Sequence, residues 1–178
     1  MPELLYFAGP PAAGKSTLVA HLCRDLEWLE ALKPLAHQTE ARSGVVQLGR
    51  LRPGFPGTDT LSMGALPVAE AWLTGPDAPG AVIAEGDRLA SAPFFDRLRA
   101  AGWTVTLVVV LVDPDVLEAR RAARTDWTPN PSWLKGRDTK AYRLAEVADL
   151  IVDGTNLTGA AADLASHPVA TLLAEARR

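Results

Sequence analysis

"GPPAAGKSTL", residues 9 to 18, sits between the apolar run "ELLYFA" and a stretch whose leucines recur at helical spacing. Gly9, Gly14, Lys15 and Ser16 satisfy the pattern G-x-x-x-x-G-K-S/T without exception. The strand before and the helix after give that pattern its physical role. Glycines let the backbone wrap around phosphate oxygens, and the helix N-terminus adds the positive end of its dipole. The turn from Gly9 through Pro10, Pro11, Ala12 and Ala13 to Gly14 is thus the candidate phosphate cradle. Lys15 is placed to reach the β- and γ-phosphates, Ser16 to hold Mg²⁺, and Thr17 to touch a phosphate oxygen. The loop is expected to bind a nucleoside triphosphate.

Composition narrows the rest. The chain has 178 residues, 48% of them hydrophobic and 22% charged, which suits one soluble globular domain spanning 1–178. A net charge of −3 lends no support to a grip on a nucleic-acid backbone. The lone cysteine, Cys23, excludes an internal disulfide framework and a cysteine-rich zinc site. With neither a basic-then-apolar leader nor a membrane-length apolar run, the expected location is cytoplasmic.

Apolar runs alternate with helical periodicities, the pattern of an α/β domain around a mostly parallel sheet. "ELLYFAG" reads as a buried strand. Residues 15 to 32 read as one helix, with Leu18, Leu22, Leu26 and Leu29 on a stripe. Short strands are expected around "PLAHQ" and "GVVQLG", and a helix over 61–74. "AVIAE" reads as a strand, 91–101 as a helix and "WTVTLVVVLVD" as a strand. A helix follows from Asp113-Pro114 to about Arg124. "TDWTPNPSWLKGRD" reads as a polar, Pro-punctuated loop before a helix over about 139–148. "DLIVDG" is the last strand, and the tail is helical with a break at His167-Pro168.

These residues resemble the small P-loop kinases, the group around adenylate, thymidylate, shikimate and gluconate kinases, and the likeness runs nearly end to end. The second stretch carrying it is "AVIAEGDRLAS". Glu85-Gly86 resembles an Asp-Gly form of the acid that ends a strand in these kinases. Asp87-Arg88 with Ser91 resembles the Asp-Arg-x-x-x-Ser form of thymidylate and deoxynucleoside kinases, with one residue fewer before the serine. Both alignments stand, so Glu85 and Asp87 share the roles of Mg²⁺-water ligand and substrate base. In "LVDPDVLEARRAAR", Arg120 and Arg124 lie four apart on a helix, with Arg121 beside them. The resemblance makes Arg120 and Arg124 catalytic and nucleotide-binding cations at the edge of a mobile lid, residues 125–137. Arg137 and Lys140 follow, three apart, with Trp127 and Trp133 nearby. "ADLIVDGTNLT" resembles the last strand and the loop beside the adenine, which makes Asn156 a nucleotide contact.

The resemblance implies a three-layer P-loop NTPase fold: five parallel strands in the order 2-3-1-4-5, helices on both faces and a small lid. It implies an ATP- and Mg²⁺-dependent kinase acting on a hydroxyl or phosphate of a small polar acceptor, foremost a nucleoside or nucleotide. A modified base in DNA stays open as acceptor but is disfavoured by charge. The segment "QLGRLRPGFPGTDTLSMGALP" offers Arg50, Arg52 and Asp59 to that acceptor, with Arg88, Arg137 and Lys140. Asp59 is also a rival general base. The competing reading is a non-kinase P-loop NTPase or a regulatory nucleotide-binding module. No N-K-x-D or D-x-x-G pattern stands in the places where a GTPase would carry it. The protein is expected to be a monomer or homodimer.

Overall fold

The computed structural model describes residues 1–50, 57–124 and 128–178. The opening apolar run forms β1 (Glu3–Ala8), and Leu4, Leu5, Tyr6 and Phe7 are wholly buried because helices cover both faces of the sheet. The phosphate-type loop leads into α1 (Lys15–Leu22). Three short strands follow, β2 (Trp28–Ala31), β3 (His37–Glu40) and β4 (Val46–Leu48). After a single 3₁₀ turn, Thr58–Thr60, come α2 (Ala65–Leu73), β5 (Ala81–Glu85) and α3 (Ala92–Ala100). The rest of the chain forms β6 (Thr104–Leu111), α4 (Pro114–Ala122), α5 (Pro131–Ala145), β7 (Leu150–Asp153), α6 (Leu157–Asp163) and α7 (Pro168–Ala176).

The sheet runs β2-β3-β4-β5-β1-β6-β7. From β4 to β7 every pairing is parallel, whereas β2–β3 and β3–β4 are antiparallel. Numbered among themselves, the parallel strands follow the order 2-3-1-4-5. The expected five-stranded parallel sheet is therefore corrected to a seven-stranded mixed one. The cause lies in residues 15 to 32, which are not one helix. The helix stops at Leu22, Asp25 takes a left-handed φ of 58°, and the chain turns back as β2. Leu29, expected on the buried stripe, is 57% exposed.

A second correction concerns 125–137. Residues 125–127 lie outside the described residues, but 131–137 form the opening turns of α5 and not a loop. Asn130 caps that helix, its Oδ1 accepting from the backbone N–H groups of Ser132 (2.8 Å) and Trp133 (3.3 Å), with Pro131 in the first turn. The expected helix at 61–74 begins later, at Ala65, because the 3₁₀ turn takes its start.

Two apolar layers flank the sheet. Leu73, Phe94, Phe95 and Leu98 pack on one face with α2 and α3. Leu18, Val19, Leu22, Ala160, Val169 and Leu173 pack on the other with α1, α6 and α7. The C-terminal ends of β5, β1 and β6 lie side by side, and β1 is where the strand order reverses. That switch point is where doubly wound sheets leave a crevice. Among the described residues, no helix is long and apolar enough to cross a membrane.

Candidate active site

The phosphate-type loop hangs between the ends of β1 and α1. Gly9 has a φ of 146°, and any side chain there would collide with the Val110 carbonyl of β6, so the turn can close only on glycine. Lys15 Nζ donates to the carbonyls of Gly9 and Pro10, each at 2.9 Å. Burial holds its pKa below the ordinary value; Arg124 and Arg121 add to that effect, while Glu85 and Asp59 oppose it.

From the first turn of α1, Ser16 Oγ donates to Glu85 Oε1 at 2.9 Å. Glu85 ends β5 opposite Phe7 of β1 and is only 2% exposed. Its burial raises the carboxyl to about 7, against the pull of Lys15 and the Ser16 hydrogen bond; the nearby Asp59 pushes in the same direction as burial. Strand position thus separates Glu85 from Asp87. Asp87 pairs instead with Arg137 and Lys140 of α5, the latter at 3.1 Å, and Lys140 also donates to the Asp87 carbonyl at 2.9 Å. Burial and the Arg137 charge lower Lys140 to about 8. The Arg137 guanidinium also lies 5.1 Å from the centre of the Trp133 ring.

Asp59, on the 3₁₀ turn, is exposed and faces this group. Its Oδ1 accepts from the backbone N–H groups of Asp87 (3.0 Å) and Arg88 (3.2 Å). It lies close enough to act electrostatically on Lys15, Glu85, Lys140 and Tyr6. Gly86, with φ 115°, lets the two turns meet, since a Cβ there would stand 2.7 Å from Thr58 Oγ1. Beneath them the buried Tyr6 hydroxyl donates to the Gly86 carbonyl at 3.0 Å and lies 3.2 Å from Thr58 Oγ1.

The arginines of α4 back the loop. Arg120 donates to the carbonyls of Ala13 (3.2 Å) and Gly154 (3.1 Å). Arg121, which sequence reasoning set merely beside the others, donates to the Pro11 carbonyl at 3.2 Å and forks onto Asp138 at 3.0 and 2.6 Å. Arg124 is exposed, within electrostatic reach of Lys15. Asn156 spends its Oδ1 on the Gly159 N–H at 2.9 Å, capping α6. Arg88 turns its guanidinium towards Met63 Sδ, and Arg50 stands 3.9 Å from Glu30. Arg52 lies outside the described residues.

The donor set fits Mg²⁺ bound with a triphosphate. Hydroxyl and carboxylate oxygens suit a hard cation, and Mg²⁺ takes only one or two of its ligands from protein. Among the described residues, no group of three or more His, Cys, Asp or Glu could hold a metal alone. A family model described as P-loop Nucleotide Kinase3 matches residues 1–168. No curated protein matches the chain.

Proposed function

The chain belongs to this P-loop nucleotide kinase family, and from that premise we propose that it transfers the γ-phosphoryl group of ATP to a hydroxyl or phosphate of a small polar acceptor of the nucleoside or nucleotide class. The observation that carries the reading is Asp59. It is an exposed carboxylate pinned by two backbone N–H groups, within electrostatic reach of Lys15 and of Glu85, which Ser16 bonds.

In this reading the backbone N–H groups from Ala12 to Thr17 cradle the phosphates, and Lys15 exchanges its loop carbonyls for β- and γ-phosphate oxygens. Ser16 and Glu85 would hold Mg²⁺, which when bound neutralises and orients those oxygens. Asp59 orients the acceptor and takes its proton, through the carboxylate oxygen that the backbone clamp leaves aside. Asp87 anchors α5, so that Arg137 and Lys140 lie at the edge of the site. Arg120 and Arg121 set the loop's shape, and Arg124 supplies charge beside the transferring group. In the same reading α5, with the residues that lead into it from Thr128, acts as the lid over a single domain.

The test is product detection. The protein is incubated with ATP, Mg²⁺ and a panel of nucleosides and nucleotides, and phosphorylated acceptor is sought by mass spectrometry. Asp59→Asn should lower acceptor phosphorylation by roughly 10²- to 10⁴-fold while ATP affinity barely changes. ADP released in step with inorganic phosphate, with every acceptor unmodified, would make the protein a hydrolase and sink the proposal.

A further inference from the structure

Strands β2, β3 and β4 carry one polar row on the sheet face that packs against α1. Glu30 stands opposite Gln38, Gln38 opposite Gln47, and Gln47 opposite Ile83, so the four side chains share that face. Glu85 lies two residues beyond Ile83 on the same strand and face. The spacings of a sheet put the Gln47 and Glu85 Cα atoms roughly 8 Å apart.

The row is poorly satisfied for something so deep. Gln38 is 8% exposed and Gln47 0%. Gln38 Nε2 donates to Glu30 Oε1 at 3.4 Å, but Gln38 Oε1 and both Gln47 Oε1 and Nε2 are buried without a hydrogen-bond partner. Arg50 Nε, beyond the end of β4, is likewise buried without a partner, and Arg50 Nη2 lies 3.9 Å from Glu30 of the row. Such atoms are rare in native cores because each has lost water and gained nothing. Their neighbours on this face, Trp28, Val45 and Ile83, belong to an ordinary apolar cluster. Toward the outer strand the row opens, with the Glu30 side chain 59% exposed.

We propose that Gln38, Gln47 and Arg50 form a subsite that reads the uncharged edge of the acceptor's nucleobase; this rests on the reading of the chain as a nucleoside or nucleotide kinase. Glu30 and Arg50 offset each other in charge, so the row does not attract a phosphate. A glutamine amide holds a donor and an acceptor side by side, the match for adjacent acceptor and donor groups on a base. Gln47 lies close enough to Glu85 for a base on this row to bring its attached sugar toward the transferring phosphoryl group.

Gln47→Met and Gln38→Met test this, since each keeps an unbranched side chain and removes the polar atoms. Melting temperature is measured alone and with each of adenosine, guanosine, cytidine, uridine and thymidine, with free nucleobases, with ribose, and with ATP and Mg²⁺. In the absence of ligand the variants should melt about 2–4 °C above the wild type, because an unpaired amide has been removed. Affinity for the preferred nucleoside and its free base should fall about 10-fold, while the shift given by ATP stays unchanged. Nucleoside affinity that survives in both variants overturns the subsite, whatever their melting temperatures. Stabilisation by ribose with none from any base overturns the assignment to a base edge. A wild type unmoved by ATP would count against the phosphate-loop reading alone, because nucleoside binding is scored separately. If Gln47→Met does not fold, Gln38→Met carries the same comparison.

Discussion

Glu85 meets two opposed demands. In its proposed role it must be ionised to attract a metal, yet it sits where burial raises its carboxyl to about 7 from an ordinary 4.5. The folded protein therefore holds the Glu85 proton more tightly than the unfolded chain does. Stability from this source is fully present below about pH 4.5 and is lost as pH rises through about 7. Glu85→Gln, neutral at every pH, should track the wild type at low pH and become the more stable protein by up to about 3 kcal/mol near neutrality. Thermal melts of both proteins from pH 4 to 8, without metal or nucleotide, check this; parallel curves would mean that Lys15 and Ser16 fully offset the burial. That Lys15, Ser16 and Glu85 lie together follows from a short motif and the end of an apolar strand, which fix them locally, whereas the chain alone left Glu85 and Asp87 interchangeable. Asp59 is a candidate in the sequence too, but its clamp on the Asp87 and Arg88 N–H groups and the fork of Arg121 were not legible, since each depends on which turn of a distant segment it meets.

At the scale of elements, α5 is tied down at two places. Asp87 receives Arg137 and Lys140, and Asp138 receives the fork of Arg121, whose Nε also holds the Pro11 carbonyl. The Arg121 and Asp138 side chains are 16% and 24% exposed, so the pair is sheltered enough to matter. Arg121→Ala should cost about 1–3 kcal/mol and speed amide exchange selectively over Pro131–Ala145. Exchange unchanged in α5 would show that Asp87 alone secures it. The start of α5 was in fact written in the sequence: Asn130-Pro131 is a cap followed by a first-turn proline. Its surrounding prolines and polar residues made it read as loop. The reverse error befell residues 15–32, where Leu26 and Leu29 continue a helical period by coincidence. Nothing local to them announces that β3 is waiting to pair with that segment.

For the whole molecule, the parallel order 2-3-1-4-5 was implied by the resemblance, whereas the alternation of strand and helix gave only a mostly parallel α/β sheet. The antiparallel extension is invisible to that logic, since short half-polar strands gain their character only from partners. Ligand linkage tests the assembled site. ATP with Mg²⁺ at about 100 times its dissociation constant should stabilise the wild type by about 2.7 kcal/mol, and Lys15→Ala should lose most of that shift at the same concentration. An undiminished shift in Lys15→Ala would take Lys15 out of triphosphate binding. The cations behind the loop carry one more consequence, and it concerns time. Arg120 and Arg121 hold the carbonyls of Ala13 and Pro11, while Lys15 holds those of Gly9 and Pro10. On the proposed reading a triphosphate draws Lys15 off its two carbonyls, while the backbone stays propped by the two arginines. A side-chain rotation is a smaller and faster event than the microseconds to milliseconds of a moving segment. In that reading the first encounter with nucleotide is then paced by diffusion and by the ionic strength of the medium, and the slow step is assigned to α5.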